Sequence, residues 1–365
     1  MRSVFLLCLL LAGGCTALGQ NQTPPQRNYP TPVEGDYVIQ NFHFGSGESL
    51  PELKMHYRTI GTLTRDASGT ANNAVLIGHG TGGSGTQFFN PIFANVLFGP
   101  GQLLDATRYF IILPDGIGHG NSSKPSDGLH AKFPHYTYDD MVVALHEVLT
   151  KKLGVDHLRL VMGTSMGGMQ TWVWGETYPD FMDALMPLAS NPVAIAGRNR
   201  MWRFMAIDAI RNDPDWMGGE YKTQPMRSLT TAEDLLLLAG SAPLNWQAVA
   251  PTREAAEKFY LDRFKPAVAR LDANDLIYQL EASREYNPSP KLETIKAPLI
   301  AVNSADDFIN PPELGMIEKE IKRVKRGRFV MIPISSETRG HGTHTIAKIW
   351  QGYLKELLEE SATKN

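Results

Sequence analysis

Short apolar runs alternate with amphipathic stretches along most of this 365-residue chain, and few folds accommodate that alternation. Strands are expected over 37–44, 54–60, 73–78, 109–114, 157–163, 184–189, 298–303 and 328–333. The later runs are short and apolar, as strands buried on both faces must be. Between them, 139–153 places Met141, Val142, Leu145, Val148, Leu149 and Leu153 on one helical stripe, closed by Gly154. A last helix is expected over 345–359, with Ile346, Ile349, Trp350, Tyr353, Leu354 and Leu357 turned inward. The alternation implies an α/β class with a mostly parallel eight-stranded sheet flanked by helices.

One stretch breaks the rhythm. Between 189 and 298 the patterning is helical, with its clearest helices over 198–212 and 231–240. A helical insertion late in such a chain reads as a cap over a substrate site. The expected organisation is therefore a core in two parts, 35–191 and 297–365, interrupted by a cap over 192–296. Trp172 and Trp174 are expected in the core.

The N-terminus reads as a targeting segment. Arg2, the apolar run 4–12 and the small residues Gly13, Gly14, Cys15, Thr16, Ala17, Leu18 and Gly19 form a secretory signal layout over 1–19, too short to span a bilayer. Cleavage after Gly19 releases a soluble, secreted or periplasmic chain; cleavage before Cys15 leaves a lipid-anchored one. Residues 20–34, rich in Gln, Asn, Thr and Pro, read as a flexible linker. Both cysteines, Cys8 and Cys15, lie in the leader, so the mature chain has neither a disulfide nor a thiol nucleophile. Its chemistry falls to oxygen, nitrogen and backbone groups.

Charge points away from nucleic acid, since the formal net charge is -3. The densest basic run, Lys319 to Arg326, contains Glu320 and the apolar Ile321 and Val324. It reads as a solvated helix face with Gly327 just past its end.

The chemistry concentrates at Gly163-Thr164-Ser165-Met166-Gly167-Gly168, between an apolar strand and a helix. A serine there sits on a tight turn at the C-terminal edge of the sheet, with its hydroxyl pushed outward, as in the α/β-hydrolase fold. The Met166 amide, at the helix start, is one candidate oxyanion donor. The glycine-rich loop His79 to Gly85 should supply the other, from Thr81 first and Gly82 second. No lysine follows in phosphate-loop spacing, and His79 is expected to order its own loop.

A nucleophilic serine needs a base, and the base an orienting carboxylate, in the chain order serine, acid, histidine. After Ser165 the histidines are His341 and His344, and His341, between Gly340 and Gly342, is favoured. Asp307, four residues before Pro311, is favoured over its neighbour Asp306 as the acid.

These residues sit within longer stretches that resemble the homoserine O-acetyltransferase family over roughly residues 50–350. The resemblance is carried by Tyr57-Arg58-Thr59-Ile60-Gly61-Thr62-Leu63, by Gly99-Pro100-Gly101, by Tyr138-Asp139-Asp140-Met141-Val142, by the Ser165 turn and by Asp213-Pro214-Asp215-Trp216. It implies double displacement through an acyl-serine, with Asp307 and His341 at the family's acid and base, and a homodimer through the cap. Three departures stand out. Gly342 occupies the place of the family's aspartate that meets the homoserine amine, the cap pattern over 221–242 has no match, and the 79–83 loop resembles general hydrolases. The expectation is a secreted serine hydrolase acting on a small ester or acyl compound, without metal or organic cofactor. The alternative is an O-acyltransferase with another acceptor.

Overall fold

The computed structural model describes residues 27–362, so the expected leader 1–19 lies outside the described residues. All eight expected strands form, in one sheet of order β1-β2-β4-β3-β5-β6-β7-β8. They are β1 (Val33–His43), β2 (Ser49–Ile60), β3 (Ala74–Gly78), β4 (Phe110–Pro114), β5 (Leu160–Thr164), β6 (Leu185–Leu188), β7 (Leu299–Ser304) and β8 (Gly327–Ile332). The β1–β2 hairpin and the β2–β4 pair are antiparallel. From β4 across to β8 every pairing is parallel.

The connecting helices are α1 (Pro91–Leu97), α2 (Tyr138–Glu147) and α3 (Met166–Thr177). Between β6 and β7 run α4 (Gly197–Arg211), α5 (Met226–Gly240), α6 (Pro243–Val249), α7 (Arg253–Phe259) and α8 (Ala273–Glu281), and the chain ends with α9 (Met316–Glu320) and α10 (Ala347–Ala362). None of the described helices is long and apolar enough to cross a membrane.

The two-residue period of the strands decides which helix meets which face. Val75, Ile77, Ile111, Leu113, Leu160 and Met162 point to one side, where Phe93 and Leu97 of α1 and Trp350 and Leu354 of α10 close over them. Leu76, Ile112 and Val161 point to the other, against Met141 and Leu145 of α2 and Met169 and Trp172 of α3. Strands covered on both faces have no polar side, which is why their sequences are apolar throughout. Trp172 and Trp174 lie in this core, as expected.

Several boundaries differ from the sequence reading. The helix expected over 139–153 stays α-helical only to Glu147 and widens into a π turn over Val148–Lys152. Its start is fixed by a capping box in which Thr137 and Asp140 exchange side-chain and backbone bonds. The basic run does not form one helix face. Helix α9 ends at Glu320, a single turn covers Ile321–Arg323, and Gly327 opens β8. Ile321 and Val324 are buried under it. Within the stretch read as a linker, Tyr29 is buried against Phe89 and Phe98, and β1 begins at Val33. Burial of one aromatic ring is enough to pin such a segment.

Candidate active site

The turn between β5 and α3 places Ser165 at φ 55° and ψ -111°, a conformation that costs an L-residue about 1–3 kcal/mol. Neighbouring backbones hold it there. A Cβ on Gly167 would stand 2.0 Å from the Gly78 carbonyl oxygen, and one on Gly163 would stand 2.3 Å from the Gly167 carbonyl carbon. Only glycine lets β3, β5 and the first turn of α3 approach this closely. The Ser165 amide donates to the Leu188 carbonyl of β6 at 2.9 Å, fixing the turn from the other side.

Two loops at the same edge of the sheet complete a chain of hydrogen bonds. The Ser165 hydroxyl lies 2.7 Å from Nε2 of His341, and Nδ1 of that ring lies 2.8 Å from Oδ2 of Asp307. Ser165, His341 and Asp307 are all buried. Asp307 Oδ1 accepts the Ile309 amide at 2.8 Å and the Asn310 amide at 3.2 Å, while Asn310 Nδ2 donates to Oδ2 at 3.0 Å. Burial pushes the Asp307 carboxyl up, but His341 and these donors outweigh it and hold it below the usual carboxylate range. An ionised Asp307 can only accept, so Nδ1 of His341 carries the proton. The Nε2 lone pair is then left for the serine hydroxyl.

The loop after β3 lies over Ser165. Gln87 Oε1 accepts the Gly80 amide at 3.1 Å, and Gln87 Nε2 donates to Thr164 Oγ1 at 2.9 Å, tying the loop to β5. The amides of Thr81 and Met166 meet no protein acceptor among the described residues, which leaves both free for a ligand oxygen. His79 does not join the serine. Its Nδ1 is 2.8 Å from the Gly80 carbonyl oxygen and its Nε2 accepts the Gly116 amide at 3.0 Å, so it orders loops. Burial lowers its pKa and keeps it neutral.

A cavity of about 350 Å³ opens over Ser165, lined by Gly80, Thr81, Gln87, His341, Gly342 and His344 from the core and by Trp202, Arg203, Leu236 and Gly240 from the insertion. Helices α4 and α5 thus roof Ser165. A second cavity of about 450 Å³, lined by Val193, Ile195, Ile309 and Leu314 among others, does not reach the serine.

The profile of the alpha/beta hydrolase fold matches residues 73–332. This chain belongs to the α/β-hydrolase fold family. Among its relatives, a homoserine O-acetyltransferase of Pelobacter propionicus is 32% identical over 83% of this chain and 90% of that protein. A probable acyltransferase of Methanothermobacter thermautotrophicus is 32% identical over 77% of this chain and 85% of its own length. These relatives place the chain in the homoserine O-acetyltransferase-like branch of the α/β-hydrolase family. Solved structures share the fold. A homoserine O-acetyltransferase from Bacillus anthracis superposes with a TM-score of 0.79 at 22% identity, covering 90% of this chain and 98% of its own. An acetylester hydrolase from Corynebacterium glutamicum gives 0.78 at 24% identity, covering 90% and 96%.

Within this α/β-hydrolase site the two passed-over neighbours have other work. Asp306 accepts from Ser304 Oγ, from Thr338 Oγ1 at 2.8 Å and from the Gly340 amide at 3.0 Å, so it anchors the loop that carries His341. His344 packs edge-on against His341, with ring centroids 5.2 Å apart. Burial first, and His341 second, drop its pKa to about 3, so it stays uncharged behind His341. Gln87, Trp202 and Arg203 escaped the sequence reading because nothing local marks them; each reaches the site only through the tertiary fold.

Proposed function

We propose that this α/β-hydrolase-family enzyme moves an acyl group through Ser165 onto a small alcohol or amine acceptor. The observation that carries the reading is the hydrogen-bonded path from Asp307 through His341 to Ser165. His341 Nε2 takes the serine proton as Oγ attacks the acyl carbonyl, and the oxyanion forms against the Met166 and Thr81 amides. The tetrahedral adduct collapses, the leaving group departs with the proton from His341, and Ser165 is left acylated. An incoming acceptor then gives its proton to His341 and takes the acyl group, which restores the serine hydroxyl. The relatives' names, acyltransferases at 32% identity, favour an acceptor other than water.

Hydrolysis is the second reading, and Gly342 favours it. This position lines the cavity, and an added Cβ would meet nothing nearer than Arg339 Cβ at 3.8 Å. There is room for a side chain, but among the described residues lining the cavity none is a carboxylate that could hold an amine.

The product split decides between them. With p-nitrophenyl acetate, nitrophenol release should depend on Ser165, and added alcohols or amines should divert acetyl from acetate to their own esters or amides. L-Homoserine is the first acceptor to try. Acetate as the sole acetyl product across an acceptor panel would transfer the conclusion to hydrolysis.

We also propose export of the chain through the leader 1–19, as a secreted or periplasmic enzyme. The charged, apolar and small-residue segments in that order support it. The intact mass of protein recovered from a bacterial host should begin at Gln20. A lipid-modified Cys15 would select the anchored alternative, and an uncleaved Met1 would overturn both.

A further inference from the structure

The loop that carries the Thr81 amide is poorly suited to hold itself in place. Gly80, Gly82, Gly83 and Gly85 interrupt it, and glycine gives up more backbone freedom on ordering than any other residue. A donor that serves a developing charge must nevertheless be fixed before the charge appears. Both ends of the loop are anchored. The His79 carbonyl accepts the Gly167 amide at 2.9 Å, and the Gly85 amide donates to Asp115 Oδ1 at 2.8 Å. Between them, the Gly83 amide donates to the Gly80 carbonyl at 3.0 Å and closes a tight turn around Thr81. His79 Nδ1 reaches the same carbonyl oxygen at 2.8 Å from within the loop. These bonds set the shape of the turn. The side chain that joins it to the strand carrying Ser165 is Gln87.

Gln87 sits on a single turn over Gly85–Phe89, which Ser84 caps and whose Phe88 is buried. Its Oε1 accepts the Gly80 amide at 3.1 Å, and its Nε2 donates to Thr164 Oγ1 at 2.9 Å. An N–H can only donate, so the Gly80 amide decides which end of the carboxamide faces the loop. Thr164 is the last residue of β5, directly before Ser165, and it is fully buried. The carboxamide fills the inside of the turn. A Cβ on Gly83 would stand 2.9 Å from Oε1, and one on Gly80 would stand 3.6 Å from both Oε1 and Ser165 Cβ. One side chain thus bridges the amide next to Thr81's and the residue next to Ser165.

We infer that Gln87 is a positioning residue for acyl transfer, tying the loop to Thr164 so that the Thr81 amide keeps a fixed place relative to Ser165 and the Met166 amide. The inference rests on the proposed function, in which those two amides receive the oxyanion. Gln87 acts through the loop and not on the reacting atoms. A misplacement of about 1 Å at such a site costs about a hundred-fold in rate. Acylation and deacylation both pass through a tetrahedral oxyanion in that mechanism, so cutting the tie should slow both together. Equal slowing of the two steps lowers kcat and leaves KM where it was.

Gln87→Met keeps the length of the side chain and loses the carboxamide. With p-nitrophenyl acetate, and active sites counted by fluorophosphonate labelling to completion, its kcat should fall by about ten- to a hundred-fold with KM within about three-fold of wild type. The pH dependence of kcat should keep its wild-type midpoint, since Gln87 bonds to neither His341 nor Asp307. Thr164→Val removes the other end of the tie and should cost about two- to ten-fold in kcat, again with KM held. The double variant should be no slower than Gln87→Met alone, because the two residues act through one bond. If Gln87→Met does not fold, Thr164→Val decides. A Gln87→Met kcat within about three-fold of wild type, a loss carried mainly by KM, or losses that add in the double variant would overturn the proposal. So would an unchanged kcat in Thr164→Val. Turnover that survives Ser165→Ala would instead overturn the function on which the inference rests, whatever Gln87→Met does.

Discussion

Ser165→Ala should lower turnover of p-nitrophenyl acetate by about a million-fold, because in the proposed mechanism Ser165, His341 and Asp307 act as one unit and removing the serine hydroxyl removes the covalent route. The remaining rate would come from the oxyanion donors and substrate binding alone. Folding should be nearly unaffected, since alanine keeps the Cβ and with it the positive-φ strain at this position. Ser165→Gly separates the two roles of the residue. It should be equally inactive, but relief of the left-handed strain should make it more stable than Ser165→Ala, by about 1 kcal/mol. Steady-state rates, labelling by a fluorophosphonate probe and thermal melts of the three proteins check both statements. A Ser165→Ala rate within ten-fold of wild type would sink the assignment of the nucleophile. Equal melting of the Ala and Gly variants would mean that the turn is not strained.

Much of this candidate site is legible in the sequence because chain order and local pattern carry it. Ser165 is announced by the apolar run of β5, by glycines that let β3 and α3 touch, and by the helix that follows. Once the serine is chosen, only two histidines follow it, and the loops after β7 and β8 offer one short acidic and one short histidine segment. What the pattern left open was the choice between neighbours. Asp306 and Asp307 differ by one position in a loop, and loops have no periodicity. The structure separates them by partners that lie elsewhere in the chain, Thr338 and Gly340 for one and His341 for the other. The roof of the cavity was illegible for a related reason. On α4 the buried side, Trp202, Arg203, Ala206, Ile207 and Ile210, contains a cation, while the opposite side exposes Met201, Phe204 and Met205, so the helix has no single apolar stripe to read. Its inward side is defined by what lies beneath it, Ser165 among others, rather than by its own sequence.

That difference in partners predicts opposite outcomes for two adjacent substitutions. Asp307→Asn should reduce turnover by about ten-thousand-fold, because an amide facing Nδ1 can present its N–H and favour the tautomer whose Nε2 bears the proton, leaving no base for Ser165. Asp306→Asn keeps an acceptor oxygen for Thr338 and the Gly340 amide, so its cost should be mainly structural, about 1–3 kcal/mol of stability with a loss of turnover below about a hundred-fold. The acid dependence of stability should differ as well. His341 and the surrounding donors hold the Asp307 carboxyl below its ordinary range against the opposing effect of burial, so its folded pKa is lower than its unfolded one. Such a group stabilises the fold above the unfolded pKa, and that contribution is lost as pH falls through the folded value. The stability gap between wild type and Asp307→Asn should therefore be widest near neutral pH and narrow in acid. Rates of both variants, with denaturant unfolding at neutral and acidic pH, test the pair together. If Asp306→Asn proves the more damaging to turnover, with Asp307→Asn within a hundred-fold of wild type, the orienting acid has been misassigned, and the ionised Asp307 beside His341 is structural.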